Sequence, residues 1–369
     1  MGYQQGMLNA LLIKDWMNYI FSNPGIGSLR HLQKPLKILK PLIGKVSEIY
    51  LKKTLKNYLP DLLERLYGIS EGAGCSIDEI FFMQSVEILG TIPLYQNGCS
   101  VFISDSSFFN SGEPVLCKNF DYLPFLEGLQ ILRKSCPDKG YRSLDITMTP
   151  LAGNHAGMNE CGLTVLYNYS FVKDKQRRGV PLTLLIQHFL QTCSNVEQVL
   201  QKIEQIPWAS SGILILGDDQ DTFAIVELSN RHISKRRMDS PWAVITNHFI
   251  DPFMKQYEIS QDSKFHTIFL PEPWKGVRIH ETSEKRYNDL ESFFQRKEKI
   301  SLQDIKRIFA DHGNSDGGTN NSVCRHSKIS STLSSSIFLP ASRKLHYCNG
   351  APCSEPFNTF DMEQNKQDN

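Results

Sequence analysis

The residues best placed to do chemistry are Asn97-Gly98-Cys99-Ser100, which run straight into the apolar stretch Val101-Phe102-Ile103. A cysteine attacks as its thiolate, and an unperturbed thiol has a pKa of about 8.5. Cutting the chain between Gly98 and Cys99 would give Cys99 a free α-amine as well. An α-amine titrates at about 8, near working pH, so it can act as general base for its own side chain. Gly98 leaves little steric hindrance and permits the unusual backbone angles an N→S acyl shift needs. The tripeptide by itself also suits a turn holding a buried cysteine, so the remainder of the chain has to decide.

Other chemistry-bearing residues follow in order: Lys118-Asn119-Phe120-Asp121, Tyr167-Asn168, Ile245-Thr246-Asn247-His248 and Ser322-Val323-Cys324-Arg325-His326. Asn side chains donate hydrogen bonds without bringing a titrating charge, which suits an oxyanion. A turn or strand-end Asn is the competing reading for Asn168 and Asn247. His248 beside Asn247 offers a different mechanism, a Cys–His pair with Cys99 left inside an uncut chain. Cys324-x-His326 with Cys348 and Cys353 resembles a zinc knuckle, but the Cys348–Cys353 gap is wider than usual and no ribbon pattern surrounds it. No metal is therefore assigned, and no cofactor. Cys75, Cys117, Cys136, Cys161 and Cys193 read as apolar filling, and His155 and His266 have no partner pattern. Gly25-Ile-Gly-Ser follows no strand, so it is no phosphate loop.

The elements that position these residues fall into two styles. Up to residue 96 the pattern is helical. Leu8, Leu11, Leu12, Trp16 and Ile20 share one face; Leu36, Ile38, Leu39, Leu42, Ile43, Val46, Ile49 and Tyr50 another, with Pro41 marking a break or a fresh start; Tyr58, Leu62, Leu63, Leu66 and Tyr67 a third. Ser76 and Glu79 form a capping box for a helix that stops near Gly90. From Cys99 on, strands and turns take over. Residues 99–121 read as a β-hairpin, and Met158 to Leu163 as a second turn with Gly162 at positive φ. Helices follow at Pro181–Cys193 and Val196–Ile206, then strands at Gly212–Leu216, Ala224–Leu228 and Ala243–Asn247. Residues 283–310 are helical, with Ser301 and Asp304 capping the last helix. Thr332–Phe338 and Leu345–Tyr347 close the fold, and a polar tail begins at Asp361.

At 369 residues the chain can bury a full core, and with a net charge of +1 nothing points to a nucleic-acid stripe or polybasic membrane patch. Nine cysteines, an odd number at irregular spacing, argue for reduced thiols rather than a disulfide framework. Met1 to Ile20 lacks the basic start and unbroken apolar run of a signal peptide, and no stretch is long and apolar enough to span a bilayer. A cytoplasmic location is expected. Gly2 opens a near-match to a myristoylation signal, but Gly6 stands where Ser or Thr is wanted.

The ordered landmarks resemble N-terminal-nucleophile hydrolases of the linear-amide C–N hydrolase type. They are Asn97 to Ser100, Lys118 to Asp121, Gly157 to Leu163, Tyr167-Asn168, Ile245 to Asn247 and Ser322 to His326. The nearest similarity is to the self-cleaving penicillin acyltransferase-like peptidases, the more distant one to choloylglycine hydrolase and penicillin V acylase. The resemblance covers residues 97 to about 353 and implies an α+β fold, a four-layer αββα sandwich of two antiparallel sheets. It divides the chain into a helical pro-segment at 1–98, a catalytic domain at 99–360 and a tail at 361–369. It implies autocatalytic cleavage of a zymogen at Gly98–Cys99, with the pro-segment fragment retained. Cys99 becomes the nucleophile, Asp121 the carboxylate that orients the α-amine, Asn168 and Asn247 the oxyanion donors, and Arg325 a cation near the thiolate. A surface Arg paired with a carboxylate is the other reading of Arg325. Lys118, Tyr122, Phe125 and Met158 are assigned to substrate binding. Relatives often carry Arg where Lys118 stands, and Lys cannot make the same planar, bidentate contacts. The implied reaction is hydrolysis of a small N-acyl amide through an acyl-Cys99 thioester. Acyl transfer to an amine, for example from a coenzyme A thioester, uses the same residues, and a non-catalytic binding protein is a third possibility. The sequence leaves the oligomeric state open.

Overall fold

The computed structural model describes residues 1–22, 33–89, 98–175, 178–265, 275–328 and 330–362. Five helices come first: α1 (Gly2–Leu8), α2 (Ala10–Ser22), α3 (Gln33–Tyr58), α4 (Pro60–Ala73) and α5 (Ile77–Leu89). The strands β1 (Gly98–Ser104), β2 (Val115–Tyr122), β3 (Gln130–Ser135), β4 (Ser143–Met148), β5 (Ala156–Asn159) and β6 (Thr164–Tyr169) follow. Helices α6 (Leu182–Thr192) and α7 (Val196–Lys202) precede β7 (Gly212–Gly217), β8 (Phe223–Leu228), β9 (Ile233–Arg237) and β10 (Trp242–Ile245). The short α8 (Pro252–Lys255), then α9 (Glu281–Phe294) and α10 (Leu302–Phe309), lead to β11 (Ser331–Leu339), β12 (Lys344–Asn349) and β13 (Asn358–Asp361).

The strands make two antiparallel sheets, in the orders β10-β1-β2-β11-β12-β13 and β3-β4-β5-β6-β7-β8-β9. Strand alternation builds the layers. Ile213, Ile215, Phe223 and Ile225 point into the core between the sheets, with Val101, Ile103 and Leu116 from the other sheet. Their neighbours Leu214, Leu216, Ala224 and Val226 point outward against α6, α7 and the N-terminal helices. On the opposite side Phe102, Val115 and Cys117 meet Leu290 and Phe294 of α9 and Ile305 and Phe309 of α10. The result is the expected four-layer αββα sandwich, with β7 and β8 buried along both faces.

The N-terminal helices share a core with the second sheet. A Cβ at Gly2, Gly6, Gly68 or Gly72 would collide with the facing backbone, so α1 and α4 touch main chain to main chain. The capping boxes at Ser76–Glu79 and Ser301–Asp304 are formed, and Gly162 has φ +87°.

Three helical expectations hold only in part; Leu62 and Leu66 are buried as expected. Helix α1 ends at Leu8 and α2 starts at Ala10, so the stripe through Leu8 and Leu11 is split; both are about four-fifths exposed (78% and 79%) while Ile13 and Met17 are buried. Helix α3 runs through Pro41 instead of breaking there, because an interior proline removes one hydrogen bond without necessarily ending a helix. Tyr58 and Tyr67 are exposed; Arg65 and Ile69 take buried places on α4. At the other end β13 reaches Asp361 and Met362 is buried in the inter-sheet core, so the fold extends past the expected start of the tail. Asn97, His266 and residues 363–369 lie outside the described residues. No described helix is long and apolar enough to cross a membrane.

Candidate active site

The β1–β2 hairpin sets the site. Its register pairs Gly98 with Asp121 and Cys99 with Phe120. Side chains alternate along each strand. Cys99, Lys118, Phe120 and Tyr122 therefore point towards the second sheet, and Gly98, Asn119 and Asp121 towards the helices α9 and α10.

On the first face the Cys99 side chain is buried. Burial pushes its thiol up; the Lys118 ammonium pulls it down, Asp121 raises it, and the Asp121 backbone amide and Arg286 lower it. Lys118 is itself buried. Its Nζ donates to the His155 carbonyl at 3.1 Å and to the Tyr167 carbonyl, and its remaining donor faces the Cys99 side chain. Burial pulls the lysine below its ordinary value, and Cys99 and Asp121 act against that. Phe120 stacks on His155 with ring centres 3.9 Å apart. Cys99 belongs to an apolar cluster with Phe120, Tyr122, Leu126, Leu129 and Leu333, which Leu12 and Trp16 of α2 cover. Trp16 also lies 5.9 Å from the ring of Phe125. Tyr122 shares this cluster with Cys99, and Phe125 borders it through Trp16. Met158 lies elsewhere: β5 turns it into the inter-sheet core.

On the second face the polar groups gather round the Cys99 nitrogen. Its N–H donates to Asn247 Oδ1 at 2.8 Å, and Arg286 Nη2 donates to the same oxygen at 3.0 Å. Two donors on one atom fix which way the amide points. Asn247 Nδ2 donates to the Tyr169 carbonyl at 2.9 Å, and the Asn247 backbone N–H to Ser283 Oγ at 2.8 Å. Asn168 Nδ2 donates to the carbonyls of Ile245 (3.3 Å) and Thr246 (2.8 Å), pinning β6 of one sheet to the end of β10 in the other. Both amide nitrogens are therefore engaged while the chain is whole. In the whole chain Asn247 thus offers an acceptor to the Cys99 nitrogen, and Asn168 positions the segment carrying Asn247; neither contact bears on the expected oxyanion donation.

Asp121 is fully buried. Its Oδ1 accepts from Thr332 Oγ1 at 2.8 Å, while Oδ2 lies 3.6 Å from Arg325 Nη1 and 3.8 Å from Arg286 Nη1. Burial pushes this carboxyl up and the two guanidiniums pull the other way. Arg325 is buried rather than on the surface; it donates to Asn320, and a Cβ on Gly98 would collide with its Nη1. Gly98 is thus required by close packing at the very bond in question. Arg286 was not foreseen. It donates to the Cys99 carbonyl at 2.7 Å and to Ser100 Oγ at 2.8 Å. Its signal was in the sequence: it falls on the buried stripe of α9 with Leu290 and Phe294, where an arginine needs a partner.

His248 hydrogen-bonds Ser283 Oγ (2.8 Å) and Thr246 Oγ1 (3.2 Å), and burial takes it down to about 4. Elsewhere His312, Cys324, His326 and Cys353 bring four ligand atoms together. Cys348 stays out, its thiol directed to the carbonyls of Gly350 and Glu355.

Residues 109–353 match the family described as Acyl-coenzyme A:6-aminopenicillanic acid acyl-transferase. Among curated proteins none matches. Solved structures similar to the chain include a variant of conjugated bile acid hydrolase from Clostridium perfringens, at 16% identity over 73% of this chain and 94% of that one, TM-score 0.48. Penicillin V acylase from Agrobacterium tumefaciens is 16% identical over 72% of this chain and 86% of that one, TM-score 0.44. The Caenorhabditis elegans N-acylethanolamine-hydrolyzing acid amidase ortholog is 11% identical over 66% and 93%, TM-score 0.44.

Proposed function

The chain belongs to the acyl-coenzyme A:6-aminopenicillanic acid acyl-transferase family, and from that premise we propose that it is a self-processing cysteine enzyme acting on linear amides. The observation that carries this is the neighbourhood of the Cys99 nitrogen. Asn247 Oδ1 accepts from it at 2.8 Å, and Arg286 braces Asn247. A Cys–His enzyme needs its base at the sulfur, and His248 Nδ1 meets Ser283 and Thr246 instead.

In processing, Cys99 Sγ attacks the Gly98 carbonyl carbon. The Gly98–Cys99 C–N bond breaks, the nitrogen takes up the proton, and a thioester remains. Water then hydrolyses the thioester to a Gly98 carboxylate, a thiol and a free α-amine. In turnover the α-amine takes the thiol proton and the sulfur attacks a substrate amide. The departing amine leaves with that proton, and water releases the acid from the acyl-Cys99 thioester. Lys118 favours the thiolate by charge, Asn247 Oδ1 orients the α-amine, and Asp121 with Arg325 and Arg286 sets the charge around it. Tyr122 and Phe125 line an apolar acyl site. The helical 1–98 fragment stays bound, since it shares a core with the second sheet. Nine cysteines, all free thiols, suit a reducing compartment such as the cytoplasm.

The family's name favours a second reading of the same site, in which a coenzyme A thioester supplies the acyl group and an amine accepts it. Product partition between water and added amine separates the two. Intact-mass measurement tests the common premise: two fragments are expected, the second beginning at Cys99. A single whole chain that turns over N-acyl amides would overturn the free-amine mechanism.

A further inference from the structure

We propose that His312, Cys324, His326 and Cys353 form a structural zinc site. The four ligand atoms all lie within 4.8 Å of one another. His326 Nε2 is 3.4 Å from Cys324 Sγ and 3.2 Å from Cys353 Sγ. In tetrahedral zinc, with Zn–S of about 2.3 Å and Zn–N of about 2.0 Å, neighbouring ligand atoms stand about 3.3–3.8 Å apart. The two His326 contacts lie close to the edge length of a two-cysteine, two-histidine tetrahedron, and the other pairs, all within 4.8 Å, close onto it with shifts of at most about 1.5 Å.

A second observation points to a ligand. His312 Nε2 is buried and has no hydrogen-bond partner among the described residues, and a buried polar atom left so needs an explanation. Coordination satisfies it. The backbone already presents the two rings together: Gly318 has φ +73°, and a Cβ there would stand 2.7 Å from the His326 ring and 3.1 Å from the His312 ring. Cys324 N–H donates to the Asp311 carbonyl at 3.0 Å and His326 N–H to the Thr319 carbonyl at 3.1 Å, so the ligand segment folds back on itself.

The ligands come from three places: His312 just after α10, Cys324 and His326 before β11, and Cys353 in the turn after β12. From 311 to 330 the sequence holds two aliphatic side chains, Val323 and Ile329, in twenty residues. A segment so poor in core needs another anchor, and four protein donors with no open position make a structural rather than a catalytic centre. The two thiols bind as thiolates and release two protons to solvent; the histidines bind neutral, so zinc and two thiolates carry no net charge. Two of the ligands flank Arg325, whose guanidinium packs on Gly98. The site therefore anchors the backbone on both sides of that arginine.

The test uses the full chain, purified without chelator, and its readout is metal content, which does not depend on whether the chain cuts itself. Elemental analysis should find about one zinc per chain. Cys353→Ser, at an exposed turn, and His312→Asn should each reduce that at least tenfold. Cobalt(II) exchanged into the wild type should show the strong visible bands of a tetrahedral ion and a thiolate-to-metal charge-transfer band. Chelation should lower the thermal midpoint, and added zinc should restore it. Two results would overturn the proposal. One is a wild-type chain without stoichiometric metal that gives only an octahedral cobalt spectrum. The other is a Cys324–Cys353 disulfide in the isolated protein, seen as a two-hydrogen mass difference on reduction.

Discussion

The two faces of the β1–β2 hairpin are built from alternate residues of the same strands, yet their chemistry differs. One face sets a single cation, Lys118, beside a thiol in apolar surroundings roofed by α2. The other sets one carboxylate between two guanidiniums, none closer than 3.6 Å, around a backbone nitrogen. The buried pair Arg133–Asp145 closes to 2.7 Å, although Asp145 Oδ1, too, makes no hydrogen bond among the described residues. The looser Asp121 cluster leaves Oδ2 without a hydrogen-bond partner among the described residues. On the proposed cut, an α-ammonium on Cys99 would be a new donor for this carboxylate to meet. Sulfur and nitrogen of one residue are thus served by opposite faces.

The strongest way to break the comparison is to remove the atom that joins the faces. Cys99→Ala should stay whole by intact mass and lose turnover on the order of 10⁵-fold or more, as nucleophile deletions do, with its thermal midpoint little changed. Asp121→Asn acts chiefly on the nitrogen face, and it also removes a charge that raises the thiol. Turnover should fall on the order of a hundredfold, within the usual range for a lost acid–base contribution. A carboxylate beside the α-ammonium raises its pKa, so removing the charge should move the rising limb of the pH–rate profile to lower pH. An unmoved profile with near-normal turnover would make Asp121 an ordinary strand residue. Lys118→Met disables the sulfur face alone. The ammonium favours the thiolate, so its loss should raise the thiol pKa and shift iodoacetamide alkylation of Cys99 to higher pH. Turnover should fall about tenfold for each unit of that shift.

The smallest effect sharpens the contrast by lying off both faces. Glu258 accepts from the Phe249 N–H and Glu227 from the Ile250 N–H, both at 2.8 Å, in the segment after Asn247. Burial raises Glu258 to about 8 and Glu227 to about 7, from ordinary values of 4.5. The folded state therefore holds protons that the unfolded chain has lost. That stabilisation is complete below pH 4.5 and fades as pH rises through 7 and 8. Thermal midpoints should fall across this window. Glu258→Gln should flatten the fall and leave the pH–rate profile in place; a profile that moved would tie this segment to the chemistry.

What could be read from sequence was what is local. Cys99 and Asp121 share one hairpin, so twenty-two residues of alternation and one turn place them together. Arg286 comes from a helix 187 residues further on, and nothing short of its odd position on a buried stripe marks it. Asn168 and Asn247 were found as residues, but the direction of an amide is decided by its partners, Arg286 among them. Strands β3 and β4 escaped because their outward face is polar. Ser143, Asp145 and Thr147 alternate with Leu144 and Ile146, and that polar row is buried against Arg133. Met158 failed as a pocket residue for a similar reason: alternation sends it between the sheets. The α2 stripe was misread because one residue, Asn9, separates two helices and resets the phase.

Gly98 packs its Cα against two guanidiniums before any bond is cut. On the proposed cut, that carbon carries a new carboxylate, and Cys99 gains an ammonium at the same moment. The two new charges cancel, so Lys118, Arg286, Arg325 and Asp121 keep the balance they had. If the cut occurs as proposed, the new carboxylate would lie beside the same two guanidiniums, and charges buried this deeply are screened little by salt. The severed end would then stay paired where it formed.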